Sequence, residues 1–236
     1  MPPPHESTLG LLAELDSRAE RTVRVGVLLP WANVAVEEEL PRLGLVHTVF
    51  HYARLVPASR TTAVDASFWY GLREASTTAM DSLRHVPLDA VVLACTSAGF
   101  TGGPPLPWET ITAFDALLGA LASFNATRVV LATPYPDAVT RSEVDALRAG
   151  GVAVRAHTSL GLDDGFADVR PADVRTLLYR LPPDTLRAAD AVVLSCTGWH
   201  TLSCVQALEE ELGRPVVSSN LAIALHAARL SAGVST

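Results

Sequence analysis

One octapeptide is written twice in this chain. Asp89 to Thr96 reads DAVVLACT and Asp190 to Thr197 reads DAVVLSCT, with seven of the eight positions identical. A second echo stands upstream of each copy: RVGVLLP from Arg24 to Pro30, and RVVLATP from Arg128 to Pro134. Both pairs fit a single duplication of about a hundred residues, so the chain must fold into two similar units.

Each copy is a short, continuous run rich in Val and Leu, the pattern of a parallel strand buried on both faces. Helical spacing of apolar residues fills the gaps, over Trp69 to Arg84 and Ile111 to Phe124. Shorter helices are predicted over Ser142 to Ala149 and over Pro171 to Arg180, where Pro171 sits near N1. Thr201 to Leu212 ends at Gly213, which suits a helix C-cap. Strand alternating with helix predicts parallel sheets joined by right-handed crossovers. The expected fold class is therefore α/β: two pseudo-symmetric, Rossmann-like lobes with parallel sheets and the active site in the cleft between them. The first lobe is expected over residues 23–125, with a C-terminal helix in 221–236 packing back onto it. The second lobe is expected over 126–220. Residues 1–22 read as an N-terminal arm, in which Leu9, Leu11, Leu12 and Leu15 suit a short amphipathic helix.

The net charge is -7, the cations are arginines, and no stretch concentrates them. Nucleic acid is not an expected partner, since phosphate binding needs a clustered basic footprint. The opening segment, with three prolines and Glu6, Glu14 and Asp16, does not read as a signal peptide. No apolar run is long enough to span a bilayer, and a cytoplasmic protein with no membrane partner is expected. Three cysteines are an odd count for a disulfide scaffold, so they are judged as thiols. There is no CxxC and the histidines are scattered singly, so no metal is expected. The glycines of Gly99 to Gly103 lack the GxGxxG spacing, and prolines follow where a helix should start, so no nucleotide cofactor is expected either. No GxSxG elbow is present.

In an open α/β sheet the ligand sits beyond the carboxyl ends of the strands, and Cys95 and Cys196 both stand there. An isolated cysteine in such a place is more often a small buried hydrophobe. Here two cysteines share one position of a repeated unit, each followed by Thr, and that reverses the weighting. The turn after each strand also presents free backbone N–H groups, which can lower a thiol pKa and hold a carboxylate or oxyanion. Cys204 has no counterpart in the first half and falls inside a helix, so a structural role is expected for it.

Six segments in order resemble the aspartate/glutamate racemase superfamily, and within it the branch of maleate cis–trans isomerases and arylmalonate decarboxylases. They are LLPWANVAVEEELPRL (Leu28 to Leu43), ACTSAG around Cys95, ATPYPDAV (Ala132 to Val139), SLGLDDG (Ser159 to Gly165), LSCTGWHTL around Cys196, and GRPVVSSN (Gly213 to Asn220). The resemblance covers the chain from about Val23 onward. It implies a catalytic pair, Cys95 and Cys196. It implies that Asn33 binds a substrate carboxylate and that Tyr135 hydrogen-bonds a carboxylate or enolate. It places Thr96 and Ser97, then Thr197 and Gly198, in the turns that hold carboxylates. Pro30, Gly165 and His200 are further candidates at matching or neighbouring positions.

Three departures bear on the substrate. Maleate isomerases usually carry Asn where this chain has Gly165. Decarboxylases carry Gly at the first cysteine position, so Cys95 speaks against decarboxylation. Glutamate racemases place His two residues after the second cysteine, whereas His200 lies four residues on. The expected function is a cofactor-independent isomerase of the maleate type acting on a small carboxylate or dicarboxylate. The alternatives are an amino-acid or hydantoin-type racemase, an arylmalonate decarboxylase-like enzyme, and a non-catalytic two-lobed binding protein. The family further implies a homodimer. In the isomerase reading Cys95 is the nucleophile, with a pKa expected below the free value, and Cys196 stays protonated as acid/base.

Overall fold

The computed structural model describes residues 7–234. Met1 to Glu6 of the predicted arm, and Ser235 and Thr236 of the predicted C-terminal segment, lie outside the described residues. The elements run α1 (Thr8–Ser17), β1 (Val23–Pro30), α2 (Ala35–Arg42), β2 (Thr48–Leu55), α3 (Ala66–Leu83), β3 (Ala90–Leu93), α4 (Thr96–Phe100), β4 (Ile111–Thr112), α5 (Ala113–Ser123), β5 (Arg128–Thr133), α6 (Asp137–Ala149), β6 (Ala153–Ser159), α7 (Pro171–Leu178), α8 (Pro183–Arg187), β7 (Ala191–Leu194), α9 (Leu202–Leu212), β8 (Val216–Ser218) and α10 (Ser219–Ser231). A 3₁₀ turn covers Phe166–Asp168.

Two four-stranded sheets form, ordered β2-β1-β3-β4 and β6-β5-β7-β8. All of their pairings are parallel. The orders are the same when the second half is laid on the first, as the repeat demands. The repeated octapeptide supplies β3 and β7, whose Val and Leu side chains are fully or almost fully buried. The aspartate that opens each copy does the same work twice. Asp89 accepts the Arg24 N–H at 2.8 Å and pairs with Arg21; Asp190 accepts the Arg128 N–H at 2.8 Å and the Arg128 guanidinium at 2.7 Å. Each carboxylate thereby ties the start of one strand to its neighbour.

The expected helix over Ile111 to Phe124 is shorter, because Ile111 and Thr112 pair with β3 as an edge strand. Thr112 then caps α5, accepting the Asp115 N–H while Asp115 accepts the Thr112 N–H, a reciprocal pair that fixes the helix start. The helix expected from Ser142 begins five residues earlier, at Asp137, directly after Pro136. Gly213 closes α9 with φ 62°, the left-handed conformation that favours glycine at this position. α10 is buried along most of its length and packs on α5, α1 and α2. Among the described residues, no helix is long and apolar enough to cross a membrane.

Candidate active site

The turn after β3 and the turn after β7 each deliver a cysteine into one cavity of about 260 Å³. Cys95 is in extended conformation at the start of the short helix α4. Its sulfur lies 3.7 Å from the Ser97 hydroxyl. Cys196 follows β7, and its sulfur accepts the Gly198 N–H at 3.1 Å. The Tyr135 hydroxyl stands beside the same sulfur and favours its thiolate. Tyr135 arrives from the end of β5 by way of Pro134, and its ring meets Phe166 edge-on at 5.7 Å. Gly198 is confined: a Cβ there would stand 3.4 Å from both the Cys196 sulfur and the Phe166 ring.

The wall joins residues from both halves of the chain. Of the residues singled out in the sequence, Pro30, Asn33, Cys95, Ser97, Tyr135, Gly165, Cys196, Thr197 and Gly198 line it. Asn33 is held from two sides: its Oδ1 accepts the Val36 N–H at 3.2 Å, and its Nδ2 donates to Thr197 Oγ1 at 3.2 Å. Gly165 has φ 70°, which lets the chain turn sharply into Phe166. Two of the predicted residues are not in the wall. Thr96 turns away, its hydroxyl donating to Ser219 Oγ at 2.9 Å. His200 sits behind the Phe166–Asp168 turn, with Nδ1 3.2 Å from the Ala167 carbonyl and Nε2 3.2 Å from Glu38. The helix formed by Thr201 and beyond carries His200 off to that side, so it does not reach the thiols.

Supporting residues that sequence reasoning missed surround these. Arg54 donates to the carbonyls of Trp31 at 3.1 Å and Asn33 at 2.8 Å and pairs with Glu37, which fixes the Asn33 loop. Trp69 donates from its indole to Ser97 Oγ at 2.9 Å. Arg73 holds the Ala98 carbonyl at 2.8 Å and places positive charge near Cys95. Val64, Phe68, Trp31 and Phe166 supply carbon to the wall, and among the described residues no Lys, Arg or His lines it. Thr62 and Asp164, linked at 3.0 Å, join the loop after β2 to the loop after β6 at the rim.

The expectation of a lowered pKa for Cys95 is overturned. Burial pushes its thiol up, against the Ala98 and Ser97 N–H groups, the Ser97 hydroxyl and the Arg73 charge, all of which favour the thiolate. Burial likewise pushes Cys196 up to about 12, although the Tyr135 hydroxyl and the Gly198 N–H favour its thiolate. The turns do present the predicted donors; removing the sulfurs from water outweighs them. Behind Cys196, Glu143 on α6 is wholly buried and accepts the Ser195 hydroxyl. Burial pushes its carboxyl up to about 8, so it carries a proton at neutral pH. Glu143 was detectable: it falls on the stripe of Val139, Thr140 and Leu147 that faces the sheet. Cys204 has no place in the cavity; its thiol donates to the Thr201 carbonyl at 3.0 Å within α9. Among the described residues, no group of three His, Cys, Asp or Glu could hold a metal ion.

The chain is 27% identical over 222 residues to a maleate isomerase of Pseudomonas putida, covering 84% of this chain and 88% of that protein. It is 33% identical over 134 residues to an arylmalonate decarboxylase of Bordetella bronchiseptica, covering 54% of this chain and 53% of that one. In fold it is similar to a Nocardia farcinica maleate cis–trans isomerase variant carrying a covalently bound succinylcysteine intermediate, with TM-score 0.78 and 22% identity over 90% of this chain and 94% of that one. A sequence model of arylmalonate decarboxylase matches residues 77–234, a span that contains both cysteines and Tyr135. With two parallel sheets in matching order and a strand-end cysteine in each half, the chain belongs to the arylmalonate decarboxylase family.

Proposed function

We propose that this chain is a cofactor-independent cis–trans isomerase of the maleate type, using Cys95 as nucleophile and Cys196 as acid/base. The observation that carries the reading is the pair of thiols, delivered from equivalent turns into one cavity, with the Tyr135 hydroxyl beside one of them. Cys95, as thiolate, adds to one alkene carbon. The electron pair of the double bond moves into the neighbouring carboxylate as an enediolate, and the former double bond is then free to rotate. The Cys196 thiol gives its proton to the enediolate carbon, forming a succinyl thioether on Cys95; after rotation the Cys196 thiolate takes that proton back, and the returning pair expels the Cys95 thiolate and leaves the trans alkene. Tyr135, Ser97, Asn33 and the backbone of the Thr197–Gly198 turn are the proposed donors to the carboxylate oxygens, where charge grows most in the adduct. The elevated pKa of Cys196 means that the thiol enters the reaction protonated, with a proton to give to the enediolate. The relatedness to maleate isomerases over most of the chain supports the substrate class.

Within this reading, of the described residues, those of 23–125 and of the C-terminal segment from 221 form one lobe, 126–220 the other, and those before 23 an arm. The protein works in the cytoplasm as a homodimer, a state that light scattering on the purified chain checks directly. The function is tested by incubation with maleate, followed by proton NMR for fumarate. Fumarate formation supports the proposal. Exchange of L- and D-aspartate without fumarate would replace it with the racemase reading. The similarity to an arylmalonate decarboxylase favours a second arm with phenylmalonate, in which carbon dioxide release is the readout.

A further inference from the structure

Two thiols that act on opposite faces of one small molecule must be held at a fixed separation, and the lobes that carry them are different parts of the chain. The segment GRPVVSSN stands where the two cysteine turns meet. Ser218 caps α10 by accepting the Leu221 N–H at 3.2 Å, which leaves the next hydroxyl, that of Ser219, free for other partners. Ser219 Oγ accepts the Thr96 hydroxyl at 2.9 Å and the Cys196 N–H at 3.1 Å. One of these donors follows Cys95 directly, and the other is Cys196 itself. Ser219 is fully buried, and Thr96 almost so.

We infer that Ser219 is a positioning residue, a single buried hydroxyl that pins both cysteine turns at the separation the chemistry requires. The inference rests on the two-thiol reading above. Neighbouring bonds complete the frame. Thr197 Oγ1 donates to the Ala94 carbonyl at 2.8 Å, a second tie between the turns. Asn220 Nδ2 donates to the Thr197 carbonyl at 3.3 Å and to Glu39 Oε2 at 2.8 Å. Glu39 in turn accepts the N–H groups of Thr201 at 2.6 Å and Leu202 at 2.7 Å, so a carboxylate of α2 anchors the start of α9 across the lobe boundary. This explains why Thr96 is absent from the cavity wall: its hydroxyl belongs to the frame. It also divides the site mechanically. The bonds of this frame are buried, whereas the Thr62–Asp164 contact between the two halves is exposed.

Ser219→Ala removes the shared acceptor while leaving every cavity-lining side chain in place. A displacement of about 1 Å in a reacting group can cost on the order of a hundredfold in rate. The variant should lose ten- to a hundredfold in kcat on maleate, with KM changed by less than about threefold. Thr96→Val, which removes one arm only, should lose less, and the double variant should be no slower than Ser219→Ala alone because both cut the same bond. A second readout is independent of turnover: the rate at which diamide, taking up two electrons and two protons, closes a Cys95–Cys196 disulfide in the folded protein, followed by intact mass. Release of the frame should speed closure at least tenfold in Ser219→Ala. Equal closure rates, or wild-type kcat accompanied only by a lower Tm, would overturn the inference; if Ser219→Ala does not fold, Thr96→Val decides by the same two readouts. Failure of the unaltered protein to convert maleate would instead count against the isomerase reading, while the closure rates would still judge the frame.

Discussion

Glu143→Gln should flatten the dependence of stability on pH, and the size of the effect follows from burial. The carboxyl lies wholly inside the second half of the molecule, with the Ser195 hydroxyl on one oxygen and no partner on the other. Burial raises its pKa from 4.5 to about 8. In the unfolded chain the group ionises near its ordinary value; in the folded chain it holds its proton until far higher pH. The folded state is therefore fully favoured below about pH 4.5 and loses stability as pH rises toward 8. At about 1.4 kcal/mol per pH unit, the loss across that window is about 5 kcal/mol. Glutamine keeps an oxygen for Ser195 and has no proton to lose. Burying its unpartnered amide group costs about 1–3 kcal/mol at every pH, which shifts the whole curve but not its slope. Urea denaturation of both proteins at pH 5, 6.5 and 8 measures the difference directly, and groups common to both cancel. The wild type should fall relative to the variant by several kcal/mol between pH 5 and 8. Parallel curves would show that Glu143 ionises in the folded protein as it does in the unfolded one, and the burial argument would be wrong.

Further outcomes concern the site. Cys95→Ala and Cys196→Ala should each abolish turnover while Tm, read by calorimetry on the same samples, drops by only a few degrees; Cys204→Ala should stay within about threefold of wild-type kcat, since its thiol reaches only the Thr201 carbonyl. Tyr135→Phe should lower kcat by about 10²–10³ with little change in KM, because the hydroxyl serves charge that develops during reaction; steady-state kinetics in which KM alone rose would make it a ground-state binder. Because burial raises the Cys95 pKa, the reactive thiolate is a minor species at neutral pH, so kcat/KM should climb as pH goes from about 7 to 9; a flat profile would remove Cys95 as the titrating nucleophile.

The parts of this fold that were plain in the sequence are those buried on both faces. β1, β3, β5 and β7 occupy the middle of their sheets and are continuous apolar runs, and the duplication doubled the signal. β2 and β6 are edge strands, with His51, Arg54, Arg155 and His157 among their residues, and a strand solvated along one side carries no such run. β4, two residues long, is invisible beside the helix that follows it. The thiols were legible because each ends a central strand of a repeated unit, whereas Tyr135 was picked out only by the resemblance, since alone it reads as a packed turn residue. The residues that hold them were less so. Glu39 sits among three consecutive glutamates, and only its phase with Val36 and Leu40 on the buried face of α2 separates it from its solvated neighbours. Arg54 and Trp69 act through backbone carbonyls and a serine hydroxyl brought close by tertiary packing, which leaves no trace in local pattern. The thiol pKa values turned on a balance between donors, which the turn sequence announces, and desolvation, which only the closed cavity sets.

The central claim is that Cys95 adds covalently to the substrate while Cys196 serves as its acid/base partner. Cys196→Ala keeps the proposed nucleophile and removes that partner. Once the enediolate carbon takes a proton from water, no thiol remains to remove it, so incubation of this variant with maleate, followed by intact mass and peptide mapping, should show one added diacid, attached to Cys95. An adduct on Cys204 alone, or none on Cys95 while the variant still makes fumarate at the wild-type rate, would contradict the mechanism.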